Sequence, residues 1–304
     1  MSEQKKGILF AMGAYFMWGI VPLFWKQIDH VGSMEILVGR VIWSFVFTAL
    51  FILIIRQYKE TIADIKILWK NKKNFILLFI AAVVVSINWG IFIWAVNNEH
   101  LLQASLGYYI NPLISVLFGL IFFKEKISKA TTVAVLIAAV GVGYQAFLGG
   151  TIPWVSLALA LSFASYGVIK KKIPLDATRG LAIETLFILP IAIISYIYLM
   201  QTTEIAFMHV DWKTNLFLIG SGIVTAIPLI FFAKGAQKIP LYLMGFIQFL
   251  SPTISLLLGI FLYKEPFTTT EFVTFLCIWL AVFIFSAAKV QEARKQHVAY
   301  AKSV

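Results

Sequence analysis

Residues 112–125 read PLISVLFGLIFFKE, and residues 252–265 read PTISLLLGIFLYKE. Seven of the fourteen positions are identical (Pro, Ile, Ser, Leu, Gly, Lys and Glu) at a constant offset of 140. Most of the others exchange one apolar side chain for another. A period this long is not a solenoid unit; it marks a duplicated bundle. The solvent of that bundle follows from composition: 61% of residues are hydrophobic, 13% are charged, and the mean hydropathy is +0.89. Soluble domains carry roughly 25% charged residues. The apolar runs approach the ~20 residues that cross a bilayer as helix. They are continuous rather than alternating, which excludes a strand barrel. The single cysteine, Cys277, excludes an internal disulfide and argues against a thiolate metal site.

The chain therefore reads as an all-α membrane protein with ten transmembrane helices, near residues 7–25, 35–55, 75–96, 102–123, 130–148, 152–169, 181–199, 215–233, 241–263 and 269–288. The first run is longer than a signal-peptide core, and no small-residue cleavage pattern follows it, so it reads as an uncleaved helix. Spans five and six meet through FLGGTIPW (147–154), where Gly149, Gly150 and Pro153 supply turn chemistry. In the longest connection, 56–74, the spacing of Ile62, Ile65, Leu68 and Trp69 predicts a short amphipathic helix at the membrane surface.

The formal net charge of +11 is a topology signal. With both termini placed in the cytoplasm, 21 basic residues fall inside and three outside (Lys26, Lys213, Lys264), with Arg40 inside a span. That is the positive-inside bias of a multi-pass cell-membrane protein, and no nucleic-acid partner is expected. Ten spans in two halves of five put the second half upside down relative to the first. The expected organisation is 1–149 and 150–290 as two inverted five-helix repeats, then a cytoplasmic tail, 291–304. AYFMWG (14–19) in span one is echoed by SFASYG (162–167) in span six. Inverted repeats are an architecture of secondary transporters, with the substrate site near mid-membrane between the repeats.

Six stretches extend the pattern: AYFMWGIVPLFWK (14–26), EILVGRVIWS (35–44), NWGIFIWAVNNEHLLQASLGYYINPL (88–113), AIETLFILP (182–190), GIVTAIPL (222–229) and MGFIQFLSPT (244–253). With them the chain resembles the drug/metabolite transporter superfamily, its EamA-type carriers and, within those, the RarD group, over residues 5–290. The resemblance implies a ten-helix plasma-membrane carrier. The group tends to carry Gln-Tyr in span nine, where this chain has Gln248-Phe249, so no binding role is carried onto Phe249.

Charges at bilayer depth are the first candidates for function, since each costs roughly 2.5–3.5 kcal/mol on insertion scales. Two qualify, Arg40 in span two and Glu184 in span seven. Arg40 suits a counter-charge for an anionic or zwitterionic substrate, and Glu184 a proton acceptor or cation ligand. Snorkelling toward the nearer interface is the competing account of both. Their depths, near opposite faces, argue against a direct pair. Glu35 belongs to a span edge.

Tyr108, Asn111, Ser115 and Gly119 share one helix face, and Gln248, Ser251, Ser255 and Gly259 repeat it 140 residues on. The small residues suit close helix packing. The bulkier upper groups, Tyr108, Asn111, Gln248 and Ser251, sit beside Pro112 and Pro252, which free a carbonyl one turn earlier, and suit a cavity wall. Asn88 and Trp89 are deep in span three, whereas Trp94 is placed to anchor at an interface and Asn97 and Asn98 to cap the helix end. Trp18 and Tyr166 are repeat-related aromatics for opposite walls of a central site.

No H-E-x-x-H, no phosphate-binding glycine loop and no nucleophile with a positioned base is present, and His30, His100, His209 and His297 lie in loops or the tail. An enzyme is not expected, and nothing asks for a cofactor. Without a nucleotide-binding module, transport draws on a proton, ion or substrate gradient, or on facilitated exchange. A small metabolite or drug-like molecule is the expected cargo; a lipid or lipid-precursor flippase is the alternative. Span ten and most of span five are apolar all round, suited to lipid or to a homodimer contact.

Overall fold

The computed structural model describes residues 2–97, 101–148, 154–264 and 268–301. Gly149, Gly150 and Pro153 of the link, Asn98, His100, Glu265 and the side chain of Asn97 lie outside the description. Among the described residues every regular element is helical: α1 (Glu3–Trp25), α2 (Ser33–Ile54), α3 (Tyr58–Lys70), α4 (Lys72–Asn97), α5 (Leu101–Phe123), α6 (Lys129–Leu148), α7 (Trp154–Lys172), α8 (Ala177–Thr202), α9 (Trp212–Lys238), α10 (Leu241–Gln248), α11 (Leu250–Phe261) and α12 (Thr269–Ala301). Among the described residues nine spans are long and apolar enough to cross a membrane, α10 and α11 counting as one. The tenth, α7, is shorter and ends in Lys170–Lys172, which lowers its hydropathy. The amphipathic helix expected at 56–74 is α3, with Leu68 buried and Trp69 exposed. Below, the end of the bundle that carries the N-terminus is the lower end.

The duplication is visible in how helices pair. α1 packs on α9 as α4 packs on α7, and α5 packs on α7 as α1 packs on α10 and α11. α2 lies on α8, α5 on α10, and α6 on α12, each pairing a helix with its own repeat mate. Lys124 and Lys264, 140 residues apart, end their helices with positive φ of 51° and 57°. The halves are interleaved, so the core runs between them.

The loops add a further equivalence. Near the upper start of α2, the Glu35 carboxylate accepts from the Ala206 and Phe207 N–H groups, both at 2.8 Å, and so pins the segment between α8 and α9. Near the lower start of α8, Arg179 donates to Asp64 at 2.6 Å and to Gln57 at 3.2 Å, pinning the segment between α2 and α4. Glu35 sits at a span edge but is buried, held by this task.

Two expectations need correction. Lys170, counted with a cytoplasmic loop, is in the last turn of α7 and buried. α7 descends toward the lower end, and side chains lean toward a helix's N-terminus, so this lysine is aimed up into the bundle. Span nine, expected as one helix over 241–263, divides at Phe249. There the turn tightens to an i→i−3 bond, Phe249 N–H to Phe246 C=O at 3.3 Å, with φ −59° and ψ −15°, a 3₁₀ geometry. Pro252 cannot donate back to Gln248, which removes one bond that would hold the α-helical spacing. α5 carries the matching Pro112 and stays continuous.

Candidate functional site

Five helices bring side chains to the upper half of the bundle. Arg40 on α2 donates its Nε–H to Thr225 Oγ1 of α9 at 3.1 Å. Its guanidinium carbon lies 5.0 Å from the Trp25 ring centroid (α1) and 4.8 Å from that of Trp89 (α4). Tyr108 on α5 stands within electrostatic reach of the guanidinium and packs on Phe92 of α4, ring centroids 5.9 Å apart. Arg40, Trp25 and Trp89 are half-buried and Tyr108 is 48% exposed, so the group is partly open rather than sealed, and the space it borders is termed the chamber. Among the described residues no carboxylate lies within ion-pair distance of Arg40. Among the described residues the terminal N–H groups of the fork have no hydrogen-bond partner and two indoles lie close to it, an arrangement able to take a carboxylate or phosphate. At the upper rim Asp211 caps α9 by accepting from the Thr214 N–H at 2.6 Å; that bond holds its carboxyl below the ordinary range.

Below the chamber lies an aromatic floor. Trp18 packs on Tyr15, Phe163 and Phe232 with centroids 5.5, 5.5 and 5.9 Å away, and Phe232 stacks on Tyr166 at 5.8 Å. Trp18 and Tyr166, expected on opposite walls, meet in this one cluster. Trp18 is half-buried and Tyr166 has no exposed surface.

Under the floor the molecule is sealed. Glu184, 2% exposed, accepts from Lys170 Nζ at 2.5 Å and from the Tyr166 hydroxyl at 3.1 Å. Gly180, one turn below Glu184 on α8, leaves the space through which the lysine passes: a Cβ there would stand 3.3 Å from Nζ. The Glu125 carboxylate accepts from the Leu241 and Tyr242 N–H groups at 2.7 and 3.0 Å, and Lys171 donates to the Ile239 carbonyl at 2.5 Å. Among the described residues α7 touches α9 here, whereas their mates α1 and α4 make at most marginal contact in the other half.

The remaining sequence-derived candidates are placed by hydrogen bonds between helices. Asn88 Nδ2 donates to the Leu159 carbonyl at 2.9 Å and to Ser162 Oγ at 2.8 Å. Asn111 Nδ2 donates to the Ala160 carbonyl at 3.2 Å and its Oδ1 accepts from Ser115. Both therefore tie neighbouring helices to α7. Gln248 is buried and accepts from the Tyr15 hydroxyl at 3.4 Å, while Ser251 is half-buried in the first turn of α11. Of the four groups expected on a cavity wall, Tyr108 reaches the chamber with Arg40, whereas Asn111 and Gln248 are turned to protein partners. Arg40 and Glu184 are not paired. Sequence reading missed Thr225, Trp25 and Lys170. For Lys170 a signal existed: Tyr166 and Lys170 are four apart on one helix face, beneath a glutamate placed in the next span.

Comparison with known proteins agrees with this architecture. The EamA-like transporter family matches twice, over residues 5–144 and 151–287. An uncharacterized transporter of Bacillus subtilis (strain 168), YojE, is 45% identical, covering 97% of this chain and 99% of its own. The protein RarD of Escherichia coli (strain K12) is 40% identical over 96% and 98% of the two chains. The chloramphenicol-sensitive protein RarD of Pseudomonas aeruginosa is 27% identical over 97% and 98%. A solved crystal structure with 15% identity superposes with a TM-score of 0.66, covering 91% of this chain and 96% of the other. A duplicated helical bundle, a family match in each half and near full-length relatives together identify the chain as a member of the EamA-like transporter family, in its RarD group.

Proposed function

We propose that this membrane transporter carries small organic anions by alternating access, with Arg40 as the counter-charge. The observation that carries the reading is the guanidinium itself: at membrane depth, half-open to a chamber, clamped between Trp25 and Trp89, and facing no carboxylate among the described residues. Cation–π contacts offset part of the cost of burying it, about 0.5–2 kcal/mol each, and a bound anion supplies the rest. The flanking indoles and Tyr108 favour a substrate with a flat, apolar body. The upper half is the open side and the lower half the closed one. The excess of basic residues toward that lower end supports a cytoplasmic position for it in a cell-membrane carrier. Exchange of the two repeat conformations then opens the site to the other side.

The test is a thermal-shift series on purified protein with benzoate, benzamide and benzylamine. Benzoate is expected to stabilise, by about 2.7 kcal/mol at a hundredfold excess over its dissociation constant, and the neutral and cationic analogues to do little. Stabilisation by benzylamine rather than benzoate, or a benzoate effect undiminished in Arg40→Ala, would show the reading to be wrong.

A further inference from the structure

The loop-pinning residues align the second helix of each repeat. Glu35 of α2 and Arg179 of α8 do the same work at opposite ends, and five residues further along stand Arg40 and Glu184. The two intramembrane charges identified from sequence are thus repeat mates of opposite sign. They differ in state: Arg40 faces the chamber, whereas Glu184 is covered by Lys170 and Tyr166. A narrow crevice between α2, α4 and α8, with room for no more than about one water, is lined by Glu184, Thr185, Ser86 and Trp89. Trp89 belongs both to this cleft and to the clamp on Arg40, so one indole separates the two charges' surroundings.

We infer that Glu184 is a proton-exchange site, covered in this conformation and uncovered when the lower end opens and α8 takes the exposed role that α2 has here. This rests on the alternating-access reading and extends it to coupling. The groups facing Glu184 are Lys170 and Tyr166 from α7; α2 and α4 present Val41, Ala82, Val85, Ser86 and Trp89, with no titratable side chain among the described cleft residues. The charges of α9 are engaged elsewhere, Lys213 with Gln27, Lys234 over Phe10 and Lys238 with Glu3. Arg179 of α8 is held by Asp64. The balance is simple. A proton from the lower aqueous phase bonds to the carboxylate, Lys170 keeps its own, and the pair changes from neutral to singly positive. A substrate anion in the same state restores neutrality, so proton and anion favour each other's binding reciprocally, which is proton–anion symport.

The experiment uses the full chain with Cys277→Ser and Thr185→Cys, reconstituted in liposomes and labelled with N-ethylmaleimide across a pH series, each rate normalised to the unfolded protein at that pH. Thr185 is 6% exposed and, among the described residues, bonds back to its own helix, so the cysteine reports uncovering of the cleft. Acidification is expected to speed labelling about tenfold, because the rate follows the open population, and Glu184→Gln to be labelled at the acid rate throughout. A pH-independent rate in the parent, or a parental pH profile retained in Glu184→Gln, overturns the proposal. Should that variant fail to fold, Lys170→Met with Glu184→Gln removes both charges together, and survival of the pH profile there overturns it equally. Benzoate binding at Arg40 is read separately, so loss of one result leaves the other standing.

Discussion

Two helix pairs that the duplication makes equivalent, α2 with α9 and α4 with α8, pack differently. At the first, Gly222 lets α9 press on the backbone of α2: a Cβ there would lie 2.2 Å from the Trp43 carbonyl carbon. At the second, the α4 position 140 residues earlier is Ala82, which meets Ile188, and a cleft remains beside Glu184. One charge is therefore presented by a tight pair to an open chamber, and its mate is hidden beside a loose pair. The difference teaches that similar halves need not share a conformation: the ion pair at Glu184 marks one arrangement and the close approach at Gly222 the other.

The strongest way to break that asymmetry is to strip one partner from the buried pair. Lys170→Met leaves the Glu184 carboxylate uncompensated at 2% exposure, and a loss of about 3–5 kcal/mol is expected. Lys170→Met with Glu184→Gln leaves no orphan charge and is expected to recover most of it. Thermal unfolding in detergent measures both. Next in size is Gly222→Ala, which meets backbone that cannot swing aside and is expected to cost about 1–3 kcal/mol and to part α2 from α9. Gly143→Ala, with nothing within 4 Å of the added carbon, is the clash-free control, expected to stabilise by up to about 1 kcal/mol as alanine replaces a helix glycine.

Much of this comparison was legible in the chain. The spacing from Pro112 to Pro252 gave the duplication, and Lys124 and Lys264 at matched positive φ show how faithfully it folds. Arg40 and Glu184 stood out because charge at that depth needs a reason. Lys170 did not, because the run KKKIPLD has the composition of a loop at the basic face; only the direction of α7 and the gap at Gly180 send the first of the three lysines inward. Asn88 and Asn111 were legible as deep polar groups, but their targets are backbone carbonyls of α7, which no residue pattern marks. Trp25 was hidden for a similar reason: a tryptophan at a span's end reads as an interfacial anchor, and its ring turns out to cover the guanidinium.

A smaller perturbation sharpens the Arg40 side. Arg40→Lys keeps the charge but loses the planar fork, so it cannot bond Thr225, lie between Trp25 and Trp89 and offer an edge to an oxyanion together. Benzoate affinity is expected to fall about tenfold, or ~1.4 kcal/mol, with little change in stability without ligand. If lysine serves as well as arginine, the chamber holds a positive potential but not a shaped anion site.

The smallest expected effect probes the other side. Gly180→Ala adds a carbon 3.3 Å from Lys170 Nζ, so the ammonium must yield a few tenths of an ångström while staying on Glu184. Against that strain stands the gain of replacing glycine inside a helix, about 1 kcal/mol. The two nearly cancel, and a net change within about 0.5 kcal/mol is expected. The maleimide pH profile is the more sensitive readout: crowding the ammonium loosens the pair that covers the cleft, so labelling should be faster than in the parent. An unchanged labelling rate would mean that Lys170 settles just as well beside an alanine, and that the gap at Gly180 does not set the strength of the pair.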